Sequence, residues 1–368
     1  MKSVLQPSAF SIPHSRSAFS LVELLTVIFI ISLLIGILIP SLSAARNSAK
    51  RLTTAKALDS IKVGLEMFKN DNGKDFPQTN GYPPSFAHPP IPEPFTPAEG
   101  KEGKFPFLET RPVVTGAHWL PAMLIGVDKN GYIKKSSVPN RDNLRTQPHL
   151  WYKPDPLGDG TALERSPLYV DPDGINLKET KRLPGRANQD LFLNWDDQGF
   201  QDLPVIADAF DQPILYYAAS TYGKPTNMVG NTYREEYNGA SGSQQSGPPF
   251  YFHEDNQPFT GKSLAEADRG WDFGGGSKAH PLAVSGDTRL PGDILDTDES
   301  NPNSFARMIL DRKIFSEIAN LKAKSPSVPT TMPLRPVNSD SYLLISAGVD
   351  GLFGTADDVT NFPPLPEL

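Results

Sequence analysis

Three aspartates fall close together near the C-terminus: Asp350, Asp357 and Asp358, interspersed with Gly348, Gly351 and Gly354. Carboxylate oxygens are hard ligands, and a divalent cation such as calcium takes several of them at roughly 2.3–2.6 Å. The glycines let the backbone curl so that main-chain carbonyls can turn inward too. A cation relieves the repulsion among clustered carboxylates; without one, the same residues make a solvated acidic turn. The spacing fits both. Other acidic groups are weaker candidates. In Asp155-Pro156-Leu157-Gly158-Asp159-Gly160, Ser166 stands where an EF-hand loop needs its twelfth-position Glu. Asp171-Pro172-Asp173-Gly174 reads as a turn, and Asp293, Asp296, Asp298 and Glu299 as a solvated loop. His88, His118, His149, His253 and His280 are scattered without paired ligand spacing.

Motifs of enzyme chemistry do not occur. There is no G-x-S-x-G, no Walker loop and no H-E-x-x-H. The glycines at 274–276 follow no clear strand and open no clear helix, so they make no phosphate loop. The absence of cysteine excludes disulfides, thiolate metal sites and a Cys nucleophile. The expectation is a chain that performs no chemistry of its own.

One more acid stands out by its surroundings. Residues 21–39 read LVELLTVIFIISLLIGILI, with Glu23 as the single charge. As a helix this stretch covers about 28 Å of a hydrocarbon core that is ~30 Å thick. It is too long for the apolar region of an ordinary secretory signal, and no small-residue cleavage site follows it. A carboxylate inside a span costs roughly 2.5–3.5 kcal/mol at the centre and less near an edge. A plain anchor has no use for it; a segment that must meet a positive charge in apolar surroundings does.

The elements around these residues follow from composition and period. The chain has 368 residues and a net charge of −7, from 35 basic and 42 acidic side chains. No basic stripe breaks that balance, which argues against nucleic-acid binding. With 37 prolines it carries about twice average usage, so loops and short strands should dominate outside proline-poor stretches. Beyond Pro40, Leu42, Ala45, Ala49, Leu52, Ala55, Leu58, Ile61, Leu65 and Phe68 recur at helical spacing. Asn72-Gly73 is a stop signal. A continuous helix from Phe19 to Asp71 would be about 80 Å long, with Gly36 and Pro40 allowing a kink. The apolar segment His118 to Ile125 predicts a helix starting near Pro121. Residues 214–218 have strand composition, and 304–324 reads as another helix. The proline- and glycine-rich stretches at about 78–200 and 223–303 read as loop-rich insertions, with mobile loops at 239–249 and 274–276.

The residues before the apolar stretch, Ser15-Arg16-Ser17-Ala18-Phe19-Ser20-Leu21-Val22-Glu23, resemble the processing site of type IV prepilins and pseudopilins. In that family a positively charged leader ends in a small residue, usually Gly, and cleavage exposes a Phe that is N-methylated. Here Ala18 takes the small position and Phe19 becomes the new N-terminus. Counting from Phe19, Glu23 is fifth and Pro40 twenty-second, where these proteins carry Glu and commonly proline. Two further segments resemble the major pseudopilins of type II secretion. Asp208-Ala209-Phe210-Asp211-Gln212-Pro213-Ile214 is similar to their D-P-W-G-x-P-Y stretch, with Phe for Trp and Asp for Gly. Ser346-Ala347-Gly348-Val349-Asp350-Gly351, followed by Asp357-Asp358, is similar to their calcium loop.

The resemblance implies an α+β fold: a long N-terminal helix, membrane-embedded in its first half, packed on a small antiparallel sheet. It implies a leader at 1–18, a helix at 19–72 with residues 21–39 in the membrane, and an extracytoplasmic head at 73–368. It implies one Ca²⁺ held by Asp350, Asp357, Asp358 and the carbonyls of Ala347 and Leu352. The expected function is a structural subunit of a pseudopilus or type IV pilus-like fibre, most like the major pseudopilin. The alternatives are a minor tip pseudopilin, a type IV pilin, or a membrane-anchored binding protein or enzyme that uses a prepilin signal. Expected partners are further copies or related pseudopilins, a prepilin peptidase, an inner-membrane assembly platform and lipid. The expected place is the inner membrane, single-pass, with the head in the periplasm. Charge asymmetry read alone points the other way, because Arg46, Lys50, Arg51 and Lys56 follow the span.

Overall fold

The computed structural model describes residues 21–85, 115–134, 163–183, 203–221, 226–229, 232–233, 250–251, 253–260, 308–309, 311, 313, 333–334 and 336–363. Two compact units divide the chain, residues 1–49 and 50–368. Helix α1, Leu21–Asn72, contributes to both.

In the first unit every residue of α1 from 21 to 46 is exposed, and between Leu21 and Ile39 only Glu23, Thr26 and Ser32 carry polar side chains. α1 is the only helix among the described residues long and apolar enough to cross a membrane. Helix continues through Pro40, where a kink or local melting was expected. Two serine hydroxyls just past that proline turn back onto the preceding turn: Ser41 donates to the Leu38 carbonyl at 2.8 Å and Ser43 to Ile39 at 3.1 Å.

The second unit buries one face of the remaining helix. Thr54, Leu58, Ile61, Gly64, Leu65, Phe68 and Asn72 are buried there. The apolar periodicity placed the start of this face at Leu42, but Leu42 and Leu52 are 65% and 60% exposed. The reason is packing: the compact head begins only at Lys50, and the first helical position it buries is Thr54. Two polar or small residues interrupt the apolar period because other chain segments need them. Gly64 has no room for a side chain, since a Cβ would stand 2.5 Å from Val170 Cγ2 and 3.0 Å from the Tyr169 carbonyl. Asn72 donates to the Tyr169 hydroxyl at 2.6 Å.

The head is built on short antiparallel strands. β1 (Asn176–Glu179) pairs with β2 (Pro204–Ala207). β3 (Leu215–Ala218) pairs with the distant β7 (Tyr342–Ser346), in register Leu215 to Ile345, and β7 pairs with β8 (Val359–Thr360). A third sheet joins β4 (Thr226–Val229) to β5 (Thr232–Tyr233) and β6 (Pro333–Leu334). β3 and β7 are buried at every residue, so both faces are covered and their sequences lack polar alternation. Helix α2, Gly116–Leu124, packs against β2 and β3. It starts before Pro121, earlier than the sequence expectation, because Thr115 and His118 form a reciprocal capping box that sets the first turn. Leu58, Ile61, Leu65 and Phe68 of α1 join Leu120, Val205, Tyr216 and Leu344 in one core cluster. Of the expected helix at 304–324, Met308, Ile309 and Lys313 are helical; most of that stretch, most of both insertions and the loops at 239–249 and 274–276 lie outside the described residues.

Candidate functional site

The candidate residues fall in two places, one at the start of α1 and one on the head. Ala18 and Phe19 lie outside the described residues. Glu23 sits in the first turn of α1 and is exposed. The neutral polar side chains of the apolar stretch are turned back onto the helix: Thr26 donates to the Val22 carbonyl at 2.8 Å and Ser32 to Ile28 at 2.7 Å. Such back-bonding hides a hydroxyl from lipid. A carboxylate has no donor hydrogen to turn back in that way, so Glu23 carries the polarity of this stretch.

On the head, the turn after β7 and the approach to β8 enclose the acidic loop. Gly348, Gly351 and Gly354 take positive φ, as the curl requires. The structure brings the three sequence-identified aspartates together. Asp357 accepts from the amides of Val349 at 2.5 Å and Asp350 at 3.1 Å, and from the Thr355 hydroxyl at 2.6 Å. Asp350 accepts from the Leu352 amide and Asp358 from the Gly354 amide, each at 2.8 Å. Burial and then the neighbouring Asp357 push the Asp350 carboxyl up, against the Leu352 amide. Burial also pushes Asp357 up, but the Thr355 hydroxyl and the Asp350 and Val349 amides outweigh it and hold it below its ordinary value. Asp358 is pushed up to about 8, mostly by burial, with the charges of Asp350 and Asp357 adding to it. The partly dehydrated loop therefore disfavours ionisation of all three carboxyls together.

The donor set is all oxygen, which suits a hard cation. The carboxylates as folded are spent on amides and a hydroxyl, and among the described residues no group of three or more His, Cys, Asp or Glu is spaced to hold a metal ion. Leu352 supplies a carbonyl that accepts from Thr355 at 3.3 Å, and Ala347 is fully buried at the loop entrance.

The second head segment, residues 208–212, forms a turn between β2 and β3. Asp208 is 1% exposed, and one of its oxygens accepts from the amides of Phe210 at 2.7 Å and Gln212 at 2.9 Å. Its other oxygen accepts from the Ser346 hydroxyl at 2.6 Å. Burial raises its pKa to about 6 despite these donors. Asp211 has positive φ and an ion pair with Lys178 at 2.7 Å, which holds its carboxyl below the ordinary value. This Asp stands where the related stretch has Gly, the residue that accepts such a backbone most readily.

Three helix residues missing from the sequence-derived site touch these loops. Arg51 Nη2 donates to the Asp357 carbonyl at 2.9 Å, Thr54 Oγ1 accepts from the Ala209 amide at 3.2 Å, and Lys50 Nζ lies 5.0 Å from the centre of the Phe210 ring. A signal existed for Thr54, a polar residue beside an apolar helical face. None existed for Arg51, whose contact is to a main-chain atom. His118 is buried, neutral and bonded between Thr115 and Thr180; burial lowers its pKa to about 3, and its role is structural.

Residues 13–39 match the prokaryotic N-terminal methylation motif. The chain carries a type IV pilin-like prepilin signal. The matched stretch contains Ala18, Phe19 and Glu23 and ends where the apolar run of α1 ends. The signal implies processing by a prepilin peptidase and assembly of the pilin-like kind, and with the apolar helix it is consistent with membrane anchoring. Comparison with curated proteins and with solved structures finds no match.

Proposed function

We propose that this protein is a structural subunit of a membrane-rooted fibre, a pseudopilus or type IV pilus-like assembly, most like the major pseudopilin of type II secretion. The observation that carries the reading is the coincidence of the methylation motif with an apolar helix whose one charge, Glu23, lies in its first turn. Cleavage after Ala18 leaves a cationic amine on Phe19, which the peptidase methylates. The amine of one subunit pairs with Glu23 of its neighbour. The low dielectric strengthens that attraction, and the pair fixes register between helices that are otherwise uniformly sticky. The head lies on the periplasmic side of the inner membrane and forms the fibre surface. The chain binds and assembles; it catalyses nothing.

The acidic loop is the place for one calcium ion, held by Asp350, Asp357 and Asp358 with the carbonyls of Ala347 and Leu352. Bound there, the ion supplies the positive charge that the three carboxylates lack. Support comes from the all-oxygen donor set and from the burial that lifts Asp358, to which the nearby charges of Asp350 and Asp357 add. The length of the chain also suits a tip-located minor subunit, but one large tip class lacks Glu at mature position five, and Glu23 speaks against that class.

The reading is tested by imaging cells that overproduce wild-type and Glu23→Ala chains. The variant should be cleaved and inserted normally yet enter few fibres, because removing one partner of a buried pair costs ~3–5 kcal/mol. Fibres containing the variant at wild-type levels would contradict the pairing.

A further inference from the structure

The acidic loop, the 208–212 turn and α1 are joined by a closed circuit of hydrogen bonds. It starts at Thr54, whose hydroxyl accepts the Ala209 amide. It passes through Asp208 to the Ser346 hydroxyl at the end of β7, and Ser346 in turn lies 3.4 Å from the Gly348 amide. The next two amides, Val349 and Asp350, bind the Asp357 side chain. The Asp357 carbonyl closes the circuit on Arg51, one helical turn before Thr54. Most of these links are buried or internal to one loop. The Arg51 link is the exception: it is exposed, it joins positions 306 apart in the chain, and it ends on a main-chain atom of a loop that must tolerate three neighbouring carboxylates.

We propose that Arg51 is a strap: it couples the order of the acidic loop to the first head-covered turn of α1, so that a change at either is felt at the other. The geometry explains why the strap attaches at Asp357. That residue is the hub of the loop, accepting three hydrogen bonds through its side chain. Its carbonyl is also packed against Gly348, where a Cβ would approach it to 2.3 Å. Displacing this carbonyl therefore moves both sides of the loop together. On the helix side, Arg51 and Thr54 hold the two loops from adjacent turns, and Lys50 covers Phe210 between them. Neither loop can swing away without releasing a helix contact. Coupling of this kind is reciprocal by linkage: whatever orders the loop steadies residues 50–54, and whatever steadies that turn orders the loop.

The test uses the full chain in detergent, free of metal and of fibres, so its outcome is separate from that of the fibre reading. Amide hydrogen exchange is followed in two sets, residues 348–354 of the loop and residues 50–55 of α1. Arg51→Ala should speed exchange of the loop set about tenfold, and Arg51→Lys, which keeps a cationic donor, should restore part of the protection. In the reverse direction, Thr355→Val removes a hydroxyl bound to Asp357 and should speed exchange of the helix set at least about threefold. Lys62→Ala, which breaks an exposed pair with Asp59 inside α1, should change neither set. If Arg51→Ala fails to fold, Arg51→Gln is read by the same criterion. Loop exchange unchanged in the Arg51 variants, or helix exchange unchanged in Thr355→Val, would overturn the proposal.

Discussion

Asp208 and Gly348 are the residues on which the head site turns, and each makes a prediction. Burial lifts the Asp208 carboxyl from an ordinary value of 3.8 to about 6, so the folded state holds its proton more tightly than the unfolded state. For an acid shifted in this direction, the stabilising contribution is complete below about pH 3.8 and is lost as pH rises through about 6. The loss amounts to about 3 kcal/mol, at roughly 1.4 kcal/mol per pH unit. An asparagine keeps the same shape, offers its oxygen to the Phe210 and Gln212 amides and its amide group to Ser346. Asp208→Asn should therefore melt at or above the wild-type temperature at pH 7 and show a flatter pH dependence between 4 and 6. A variant several degrees less stable at pH 7 would show that the ionised carboxylate is the favourable partner. Gly348 has φ +66, and a Cβ there would stand 2.3 Å from the Asp357 carbonyl and 2.6 Å from its carboxylate. Gly348→Ala combines left-handed strain with overpacking and should cost roughly 2–4 kcal/mol. Thermal melting of the variant checks this, and an unchanged midpoint would mean that the loop is free to open.

At the scale of elements, the acidic loop joins β7 to β8 and so controls the edge of the central sheet. If calcium is its ligand, the ion stabilises the folded head by RT ln(1 + [Ca²⁺]/Kd), about 2.7 kcal/mol at a hundred times Kd. Melting midpoints in calcium and in chelator should differ by several degrees for wild type, and Asp350→Ala or Asp357→Ala should abolish the difference. Coincident wild-type curves would leave the loop as the hydrogen-bonded turn that its amides already describe. Much of this architecture was legible beforehand, because helical period and strand composition are local. β3 was visible as a short run of strand composition, and α1 ends at Asn72, where the helix was expected to stop, whereas β7 was read only as the lead-in to the acidic loop. What escaped was set by distant contacts. The buried face of α1 begins at Thr54 rather than Leu42 because the head, not the helix, decides where burial starts. Arg51 was invisible as a site residue because its partner is a carbonyl far along the chain. The clustering of the three aspartates was readable from spacing, but their capture by the amides of Val349, Leu352 and Gly354 depends on how the loop closes.

For the molecule as a whole, the central claim rests on what happens at its N-terminus. An apolar helix with one acid, a methylation motif over residues 13–39 and a head assembled on the same helix make sense together if the leader is removed and the apolar stretch is kept. Only then does a cation appear at Phe19, within reach of an acid on a neighbouring copy. A chain that kept its leader would hold Glu23 in an apolar stretch at a cost with no return. The direct measurement is mass spectrometry of the N-terminal peptide from native membranes with an active prepilin peptidase. The account predicts a mature chain that begins at Phe19 with a methylated amine. A mature chain that still begins at Met1 would contradict it.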